Sequence, residues 1–207
     1  MSATFEQGTV QPSRRTELAP GYTISSVIQG CWQFSTGHRL DSVGATVDRD
    51  ELVELLAQRA LAGKTTFDCA DIYTGVEELL GRVRRRILEL DGGEPQIHTK
   101  CVPDLDQLAT LRKSDLEQTI DRSLRRLAVE RLDLVQFHWW DLAIPGFEQA
   151  GLWLDELRDA GKIRLLGATN FPTPALKKLL DAGVPIVAHQ VQYSICLLYT
   201  SPSPRDS

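Results

Sequence analysis

The chain has 207 residues, of which 42% are hydrophobic and 25% are charged, and its formal net charge is -5. This composition is typical of a globular protein with one large domain or two small ones, and the negative charge disfavours nucleic acid as a partner. No apolar run approaches the roughly 18 residues of a membrane span, and the polar start MSATFEQGTVQPSRRTELAPGY lacks the apolar region of a secretory signal. We therefore expect a cytoplasmic protein that does not enter a membrane.

The predicted elements alternate regularly along the chain. Residues 1–20 are polar and are predicted to form a flexible lead-in. Strands are then predicted at 23–32, 65–71, 96–102, 132–140, 162–170 and 184–194. Helices are predicted between them at 51–63, 77–90, 114–130, 146–161 and 173–183. Ser114 and Thr173 are the expected N-caps of the third and fifth helices.

Six strands that alternate with five helices indicate a parallel sheet covered by helices. Both an open doubly wound sheet and a (β/α)8 barrel satisfy this order, but no GxGxxG motif follows the first strand, as it usually does in dinucleotide-binding open sheets. Polar side chains stand near the carboxyl ends of five successive strands, and they belong to Asp68, Lys100, His138, Thr169 with Asn170, and Gln190. Because a barrel gathers all strand ends at one mouth, this pattern favours an incomplete (β/α)8 TIM barrel with about six of its eight βα units.

The residues at this mouth suggest a proton-donating site. A carboxylate at the end of a buried strand is costly unless it is paired, and Lys100, one strand over, is the natural partner of Asp68. Tyr73 follows Asp68 by one short loop, and a nearby lysine lowers the pKa of a phenol because it favours the phenolate. Such a tyrosine can donate a proton to a carbonyl oxygen that His138 orients. No side chain supplies a hydride, so carbonyl reduction at this site requires a cofactor.

Each of these residues also has a structural interpretation. Asp68 and Lys100 could form an ion pair that only supports the fold. His138 could be a core histidine, and Tyr73 could be a surface residue. His98 lies one layer deeper than Lys100 and is expected to pack or to support the site. A metal-dependent hydrolase would need His98, His138 and a carboxylate, but there is no HxH pair and the four cysteines show no ligand spacing, so they are interpreted as reduced thiols and no metal is expected.

Several motifs resemble successive motifs of the aldo-keto reductase family in order and spacing, namely FDCADIYTGVEELLG, TKCVPD, DRSLRRLAVERLDLVQFHWWD, GATNF and HQVQYS. The resemblance covers about residues 16–195 and is most specific where SLRRL is followed by DLVQFHWWD. It implies a (β/α)8 barrel that uses NADPH to reduce a small-molecule carbonyl substrate, an aldehyde or a ketone, to an alcohol.

Matched motif by motif, the resemblance implies a role for each polar residue at the mouth. Tyr73 is implied as the general acid, Lys100 as the partner that lowers its pKa, and Asp68 as the counter-ion of that lysine. His138 is implied to orient the carbonyl. The remaining implied contacts are Thr169, Asn170 and Gln190 on the nicotinamide carboxamide, Gly30, Cys31 and Trp32 near the cofactor, and Trp139 as a wall of the substrate pocket.

The sequence departs from the family pattern in two places. Thr74 stands where the family usually has glycine after the tyrosine, which affects the expected placement of Tyr73. The resemblance ends near Ile195, before the strands that in the family carry a tyrosine stacked on the nicotinamide and a basic loop on the phosphates. The stretch CLLYTSPSPRDS cannot form a central strand, so we predict a partial barrel at 21–195 and a non-native or disordered tail at 196–207.

Two functions remain open from the sequence. The first is NADPH-dependent reduction of an aldehyde or ketone by a full-length form, and this chain alone is then expected to be poorly soluble and inactive because its outer strands lack partners. The second is a non-catalytic subunit of the same fold that binds nucleotide and regulates or binds a partner. The sequence carries no signal for the oligomeric state or for the particular substrate.

Overall fold

The computed structural model of the chain describes residues 14–36 and 48–192. The predicted tail at 196–207, Cys196 and the first part of the predicted lead-in lie outside these ranges. Within them, no helix combines the length and apolar composition needed to cross a membrane. The cysteines in these ranges are buried and free, and they are Cys31, Cys69 and Cys101.

Two short strands form an antiparallel hairpin at the start of the described chain, β1 (Arg15–Ala19) and β2 (Tyr22–Ser25). Ala19 pairs with Tyr22 across a tight turn, and both pack with Ile24 in a small cluster apart from the main core. The predicted flexible lead-in is therefore wrong over β1. The hairpin buries so few side chains that its sequence carries little of the apolar alternation that indicates a strand.

Six of the described strands are parallel and form the main sheet, and neighbours in the chain are also neighbours in the sheet. They are β3 (Gln29–Gly30), β4 (Thr66–Asp68), β5 (Gln96–Cys101), β6 (Leu132–Phe137), β7 (Ile163–Thr169) and β8 (Ile186–Gln190). The sheet curls into a half-barrel, which confirms the predicted incomplete (β/α)8 barrel. An open doubly wound sheet would instead reverse its strand order at a switch point.

The stretch predicted as a single strand at 23–32 is divided between the hairpin and the main sheet. Between β2 and β3, Val27 is 67% exposed and Ile28 is 37% exposed. β-branched residues raise the apparent strand propensity wherever they stand. Composition alone therefore does not distinguish the exposed segment between β2 and β3 from the two strands that it connects.

In the described ranges, five α-helices connect the strands, α1 (Arg49–Leu61), α2 (Val76–Glu89), α3 (Lys113–Leu127), α4 (Phe147–Asp159) and α5 (Thr173–Asp181). All five agree with the predicted positions to within one turn. The predicted N-caps Ser114 and Thr173 are wrong, because the capping positions are Arg112 and Pro172. The Asp115 carboxylate accepts the N–H of Arg112 at 2.9 Å, which closes the first turn of α3 earlier than a cap at Ser114 would.

Side chains alternate between the two faces of the sheet, as strand geometry requires. One face packs against the helices and forms the main core, which includes Phe67, Val135 and Phe137. The opposite face lines the interior of the half-barrel, where Lys100 and Gln136 are partners in register. The alternation thus gathers polar side chains inside the half-barrel, at the carboxyl ends of the strands.

Candidate active site

A cavity of about 520 Å³ opens at the carboxyl ends of the parallel strands. Six of the residues predicted at this mouth line it, namely Tyr73, Lys100, His138, Thr169, Asn170 and Gln190. The rest of the lining is mostly apolar and consists of Ala70, Ile72, Val102, Trp140, Val191 and Gln192. A cavity of this size, with a few convergent polar groups among apolar walls, is typical of a small-molecule site.

Asp68 and Lys100 form the predicted pair. Lys100 Nζ donates to Asp68 Oδ2 at 2.7 Å and to the carbonyl oxygen of Cys69 at 2.8 Å. Both charged side chains are almost completely buried, so each offsets the cost of burying the other. The contact with Cys69 fixes the ammonium group at the end of β4, beside the loop that carries Tyr73.

The second oxygen of Asp68 is also occupied. Gln136 Nε2 donates to Asp68 Oδ1 at 2.8 Å, and Gln190 Nε2 donates to the same oxygen at 3.2 Å. The strand-end pattern misses Gln136, although the period-two alternation places it on the same side of β6 as His138. Gly167 provides room for it, since a Cβ there would lie 3.3 Å from Gln136 Cγ.

Tyr73 is half-buried at the mouth, and Lys100 Nζ lies 5.4 Å from the centroid of its ring. The predicted lowering of its pKa is wrong. Burial, followed by the negative charges of Asp68, Cys69 and Asp71, raises the pKa of Tyr73 to about 12. The ammonium group of Lys100, which pairs with Asp68, does not offset these effects. Tyr73 is therefore fully protonated at neutral pH, which is the state that a proton donor needs.

The departure at Thr74 is accommodated by its neighbour. The left-handed backbone conformation in this loop falls on Gly75, with φ of 76°, and Thr74 has a negative φ that any residue adopts. The loop therefore turns into α2 without backbone strain at Thr74.

His138 lines the cavity with a half-buried ring. Its Nδ1 is 3.3 Å from the carbonyl oxygen of Thr169, and because a carbonyl can only accept, this contact places a proton on Nδ1. Burial lowers the pKa of His138, so the neutral ring, with a lone pair on Nε2, is favoured. A neutral His138 can therefore donate to a substrate oxygen only by exchanging the Thr169 contact, which is long for a hydrogen bond.

The pocket wall expected at Trp139 is formed by Trp140 instead. Trp139 is 5% exposed and packs against Phe147 in the core. Trp140 lies edge-on to His138, with 4.6 Å between ring centroids, and its Nε1 donates to the carbonyl oxygen of Pro103 at 3.0 Å. The predicted strand at 132–140 ends at Phe137, and beyond it His138 and Trp140 line the cavity whereas Trp139 belongs to the main core.

Residues 30–32, expected near the cofactor, lie beside the site but do not belong to the described cavity lining. Gly30 pairs in register with Asp68, and the N–H of Cys31 donates to the Asp68 carbonyl at 2.9 Å. Burial raises the pKa of Cys31 to about 12, so this thiol is unreactive. Trp32 is 47% exposed in a short 3₁₀ helix. Cofactor contacts of these residues stay a prediction.

The described residues offer no metal centre, because no three His, Cys, Asp or Glu side chains among them are grouped to hold an ion. His98, considered as a ligand or a supporting residue, has its Nε2 3.1 Å from the buried Tyr22 hydroxyl. Burial lowers the pKa of His98 to about 4. The hydrolase built on His98 and His138 therefore has no ligand set in the part of the chain described.

Asp71, two residues before Tyr73, is a buried carboxylate that the strand-end pattern does not predict. Its Oδ1 accepts the N–H of Val102 at 3.1 Å, and its Oδ2 lies 3.3 Å from an Arg122 nitrogen. Burial and the negative charge of Glu77 raise the pKa of Asp71 to about 7, although Arg122 acts in the opposite direction.

Asp71 makes stability depend on pH near neutrality. In the unfolded chain an aspartate loses its proton near pH ~4, whereas native Asp71 keeps it up to about pH 7. Between these values the native state binds more protons than the unfolded state, so the free energy of unfolding falls as pH rises. We expect Asp71→Asn to remove this fall. Its free energy of unfolding, relative to that of wild type, should then increase by on the order of 3 kcal/mol between about pH 5 and pH 8. Urea denaturation at both pH values measures the gain.

Three described histidines act in the opposite direction over part of this range. Burial lowers the pKa values of His98, His138 and His189, so the unfolded state binds more protons than the native state below about pH 6.5. All three histidines are present in wild type and variant, and the difference between the two proteins isolates Asp71. A difference that stays constant from about pH 5 to pH 8 would exclude this role for Asp71.

The curled sheet of parallel βα units, with a polar cavity at the carboxyl ends of its strands, defines a protein of the (β/α) barrel class. The chain belongs to the aldo/keto reductase family, whose family model matches residues 26–206. The resemblance carried by the sequence motifs is thereby confirmed.

Individual proteins agree with this assignment. The chain is 28% identical over 193 residues to aldo-keto reductase family 4 member C11 of Arabidopsis thaliana, covering 85% of this chain and 55% of that protein. A thermostable aldo-keto reductase in complex with the inhibitor epalrestat has 29% identity and a TM-score of 0.71, covering 87% and 62%. A Bombyx mori aldo-keto reductase in complex with NADP shares the fold at 18% identity, with a TM-score of 0.70 and coverage of 88% and 59%. The chain thus spans little more than half the length of the Arabidopsis relative.

Proposed function

We propose that the full-length form of this protein reduces an aldehyde or ketone to an alcohol with NADPH, with Tyr73 as the proton donor. The proposal rests on one arrangement, the buried Lys100–Asp68 pair beside Tyr73 at a cavity that His138 also lines. This arrangement disfavours the interpretation of Lys100 and Asp68 as an ion pair that only supports the fold, because such a pair needs no cavity beside it. Membership of the aldo/keto reductase family supports the same chemistry.

The residues at the mouth suit a nicotinamide carboxamide, which has both a donor and an acceptor. Asn170 and Gln190 present side-chain amides of both kinds beside Thr169, at the ends of β7 and β8. Gln190 Nε2 already donates to Asp68, so its Oε1 is the group that accepts. The N–H of Asn170 donates to the Gln190 carbonyl at 3.0 Å, which holds the two residues side by side. The NADP bound to the Bombyx mori relative supports this choice of cofactor.

When bound, NADPH supplies a hydride, and the protein supplies the proton. As the carbonyl carbon gains the hydride, the electron pair of the C=O π bond moves to oxygen, and the Tyr73 hydroxyl gives its proton to that oxygen. With a pKa of about 12, Tyr73 is protonated at neutral pH and is still a stronger acid than the product alcohol, so the transfer is favourable. Lys100, 5.4 Å from the ring centroid, stabilises the phenolate until solvent returns the proton.

His138 and the apolar walls hold the substrate. The imidazole donates from Nδ1 to the carbonyl oxygen when it exchanges its 3.3 Å contact with Thr169. Trp140 packs against His138, and Ile72 and Val102 complete an apolar surface for the carbon skeleton of a small molecule. Trp140 takes the wall position that the sequence predicted for Trp139.

We assign turnover to the full-length form because the chain covers 55% of its Arabidopsis relative. Among the described strands, β3 and β8 pair on one side only, and such open edges favour aggregation. The 207-residue chain alone is therefore expected to be poorly soluble and inactive. Its buried free cysteines support a cytoplasmic location.

Nucleotide binding and turnover, measured together, test this function. For the full-length protein we expect saturable NADPH binding and oxidation of NADPH that requires an added aldehyde or ketone. Fluorescence titration measures the first and the decay of NADPH absorbance measures the second. Binding without carbonyl-dependent oxidation would contradict the reductase and favour the non-catalytic nucleotide-binding subunit. Absence of both would contradict either function.

A further inference from the structure

Tyr73 lies in the loop formed by residues 69–75, between β4 and α2. The N–H of Tyr73 donates to the carbonyl of Ala70 at 3.1 Å, and its own carbonyl accepts the N–H of Val76 at 3.0 Å. These bonds close turns inside the loop. The position of the loop relative to the barrel depends on other contacts. They come from β5, from α3 and from the segment before β4, where the N–H of Thr36 donates to the Thr74 carbonyl at 3.1 Å and Arg49 Nη1 donates to the Gly75 carbonyl at 3.2 Å.

Contacts with β5 hold the first half of the loop. The N–H of Asp71 donates to the Lys100 carbonyl at 3.2 Å, and the Asp71 carboxylate accepts the N–H of Val102. The loop therefore follows the end of β5 as far as Asp71. Among the described hydrogen bonds, none joins Tyr73 itself to β5.

Arg126 of α3 bridges the two sides of the loop. Its Nη1 donates to the carbonyl oxygen of Asp71 at 3.0 Å and to Glu77 Oε2 at 3.2 Å. Its Nε lies 3.0 Å from Glu78 Oε1. Asp71 precedes Tyr73 and Glu77 follows it, so one planar guanidinium group holds both ends of the segment that carries the phenol.

Glu77 gives this bridge a rigid anchor. Its side chain is 1% exposed, and its second oxygen accepts the Thr99 hydroxyl of β5 at 2.7 Å. Hydrogen bonds between an arginine and a buried carboxylate are among the strong ones in proteins. The bridge thus joins α2, α3 and β5, and neither Arg126 nor Glu77 belongs to the described lining of the cavity.

We propose that Arg126 is a positioning residue for Tyr73, which fixes the height of the phenol hydroxyl over the cavity by holding Asp71 and Glu77 together. This inference rests on the proposed reductase function. Because Arg126 lies outside the cavity lining, it acts through the Tyr73 loop and leaves the binding of NADPH and of the carbonyl compound unchanged. The guanidinium plane is essential, since a lysine supplies the charge for Glu77 but not the fixed fork that also reaches Asp71 and Glu78.

Arg126→Lys tests this role in the full-length protein, with Arg125→Lys, on the exposed position next to it, as the matched control. We expect Arg126→Lys to lower kcat about 10- to 100-fold, with the KM for the carbonyl compound and the Kd for NADPH within about twofold of wild type. In a Tyr73→Phe background, Arg126→Lys should lower kcat by less than about twofold, because residue 73 then has no hydroxyl proton to position. The positioning role is overturned if Arg126→Lys lowers kcat as much in the Tyr73→Phe background as in wild type. It is also overturned if Arg125→Lys lowers kcat as much as Arg126→Lys does.

Hydrogen exchange provides a readout that does not depend on turnover. The amides of Tyr73 and Val76 are expected to exchange faster in Arg126→Lys than in wild type, and to be unchanged in Arg125→Lys. Unchanged exchange in Arg126→Lys overturns the positioning role, even if the protein reduces carbonyls. If Arg126→Lys fails to fold, Glu77→Gln with Arg126→Met removes both charges, and the same faster exchange is expected. If wild type shows no turnover, the proposed function fails, while the exchange result still decides whether Arg126 holds the loop.

Discussion

Replacing Tyr73 by phenylalanine is expected to lower kcat/KM for carbonyl reduction by about 10²- to 10⁴-fold in the full-length protein, with little change in the Kd for NADPH. The substitution removes only the hydroxyl and keeps the ring beside Lys100, 5.4 Å from its Nζ. The alkoxide that forms on hydride transfer then has no phenolic proton within reach. Steady-state kinetics at saturating NADPH and a fluorescence titration measure the two quantities.

Tyr22→Phe is the matched control for this substitution. Tyr22 lies towards the amino-terminal ends of the strands, where its buried hydroxyl is 3.1 Å from His98 Nε2 and its ring faces Arg164. Loss of that hydroxyl is expected to change stability and to leave kcat/KM within about twofold, because Tyr22 is not part of the cavity lining. A Tyr73→Phe protein that turns over as fast as the Tyr22→Phe protein would exclude Tyr73 as the donor.

Replacing Lys100 by methionine is expected to lower the free energy of unfolding by about 3–5 kcal/mol and to abolish turnover. The side chains of Lys100 and Asp68 are only 9% and 13% exposed, so removal of the ammonium group leaves a buried carboxylate without an opposite charge. Gln136 and Gln190 remain as donors to Asp68, but they are neutral. Urea denaturation measures the loss of stability.

Two further variants identify the cause of the stability that Lys100→Met loses. Asp68→Asn combined with Lys100→Met removes both charges and is expected to recover most of the stability but no activity, since the phenolate has no cation beside it. Lys162→Met removes a more exposed lysine, which pairs with Glu117 and Asp121, and should cost about 0–1 kcal/mol. Equal destabilisation by Lys100→Met and Lys162→Met would contradict the assigned role of the buried pair.

The pairing of Asp68 with Lys100 could be predicted from the sequence because two general rules determine it. The carboxyl ends of the strands in a parallel barrel share one mouth, and a buried carboxylate needs a partner of opposite charge. The first rule also places His138 and Gln190 at the cavity. Helix positions follow as reliably from apolar spacing, since a helix that covers a sheet must present one apolar stripe to it.

The features that were missed depend on how the elements pack. Arg126 meets Glu77 only because α2 and α3 approach closely at Gly81, where a Cβ would lie 2.7 Å from the Arg126 carbonyl oxygen. No spacing within either helix encodes that approach. The pKa of Tyr73 likewise depends on burial and on the negative charges packed around it, Asp68 foremost, and the nearby Lys100 already has Asp68 as its partner.

The wrong prediction of Trp139 as a wall of the substrate pocket has a different cause. Alternation along the strand predicted at 132–140 favours Trp140, because it lies two residues from His138. The matched motif contains both tryptophans in succession, and position in the motif favoured the first of them. Burial of Trp139 among core aromatic rings corrects the choice.

Transfer of deuterium from NADPH to the product tests the central claim most directly. The full-length protein is incubated in ordinary water with an aldehyde and with NADPH that carries deuterium at its transferable position, and the alcohol is analysed by mass spectrometry. A reductase of the kind proposed yields an alcohol with one deuterium on the former carbonyl carbon, and the Tyr73→Phe variant yields almost none. Bound NADPH that stays unoxidised, with no labelled alcohol from the wild-type protein, would contradict the account.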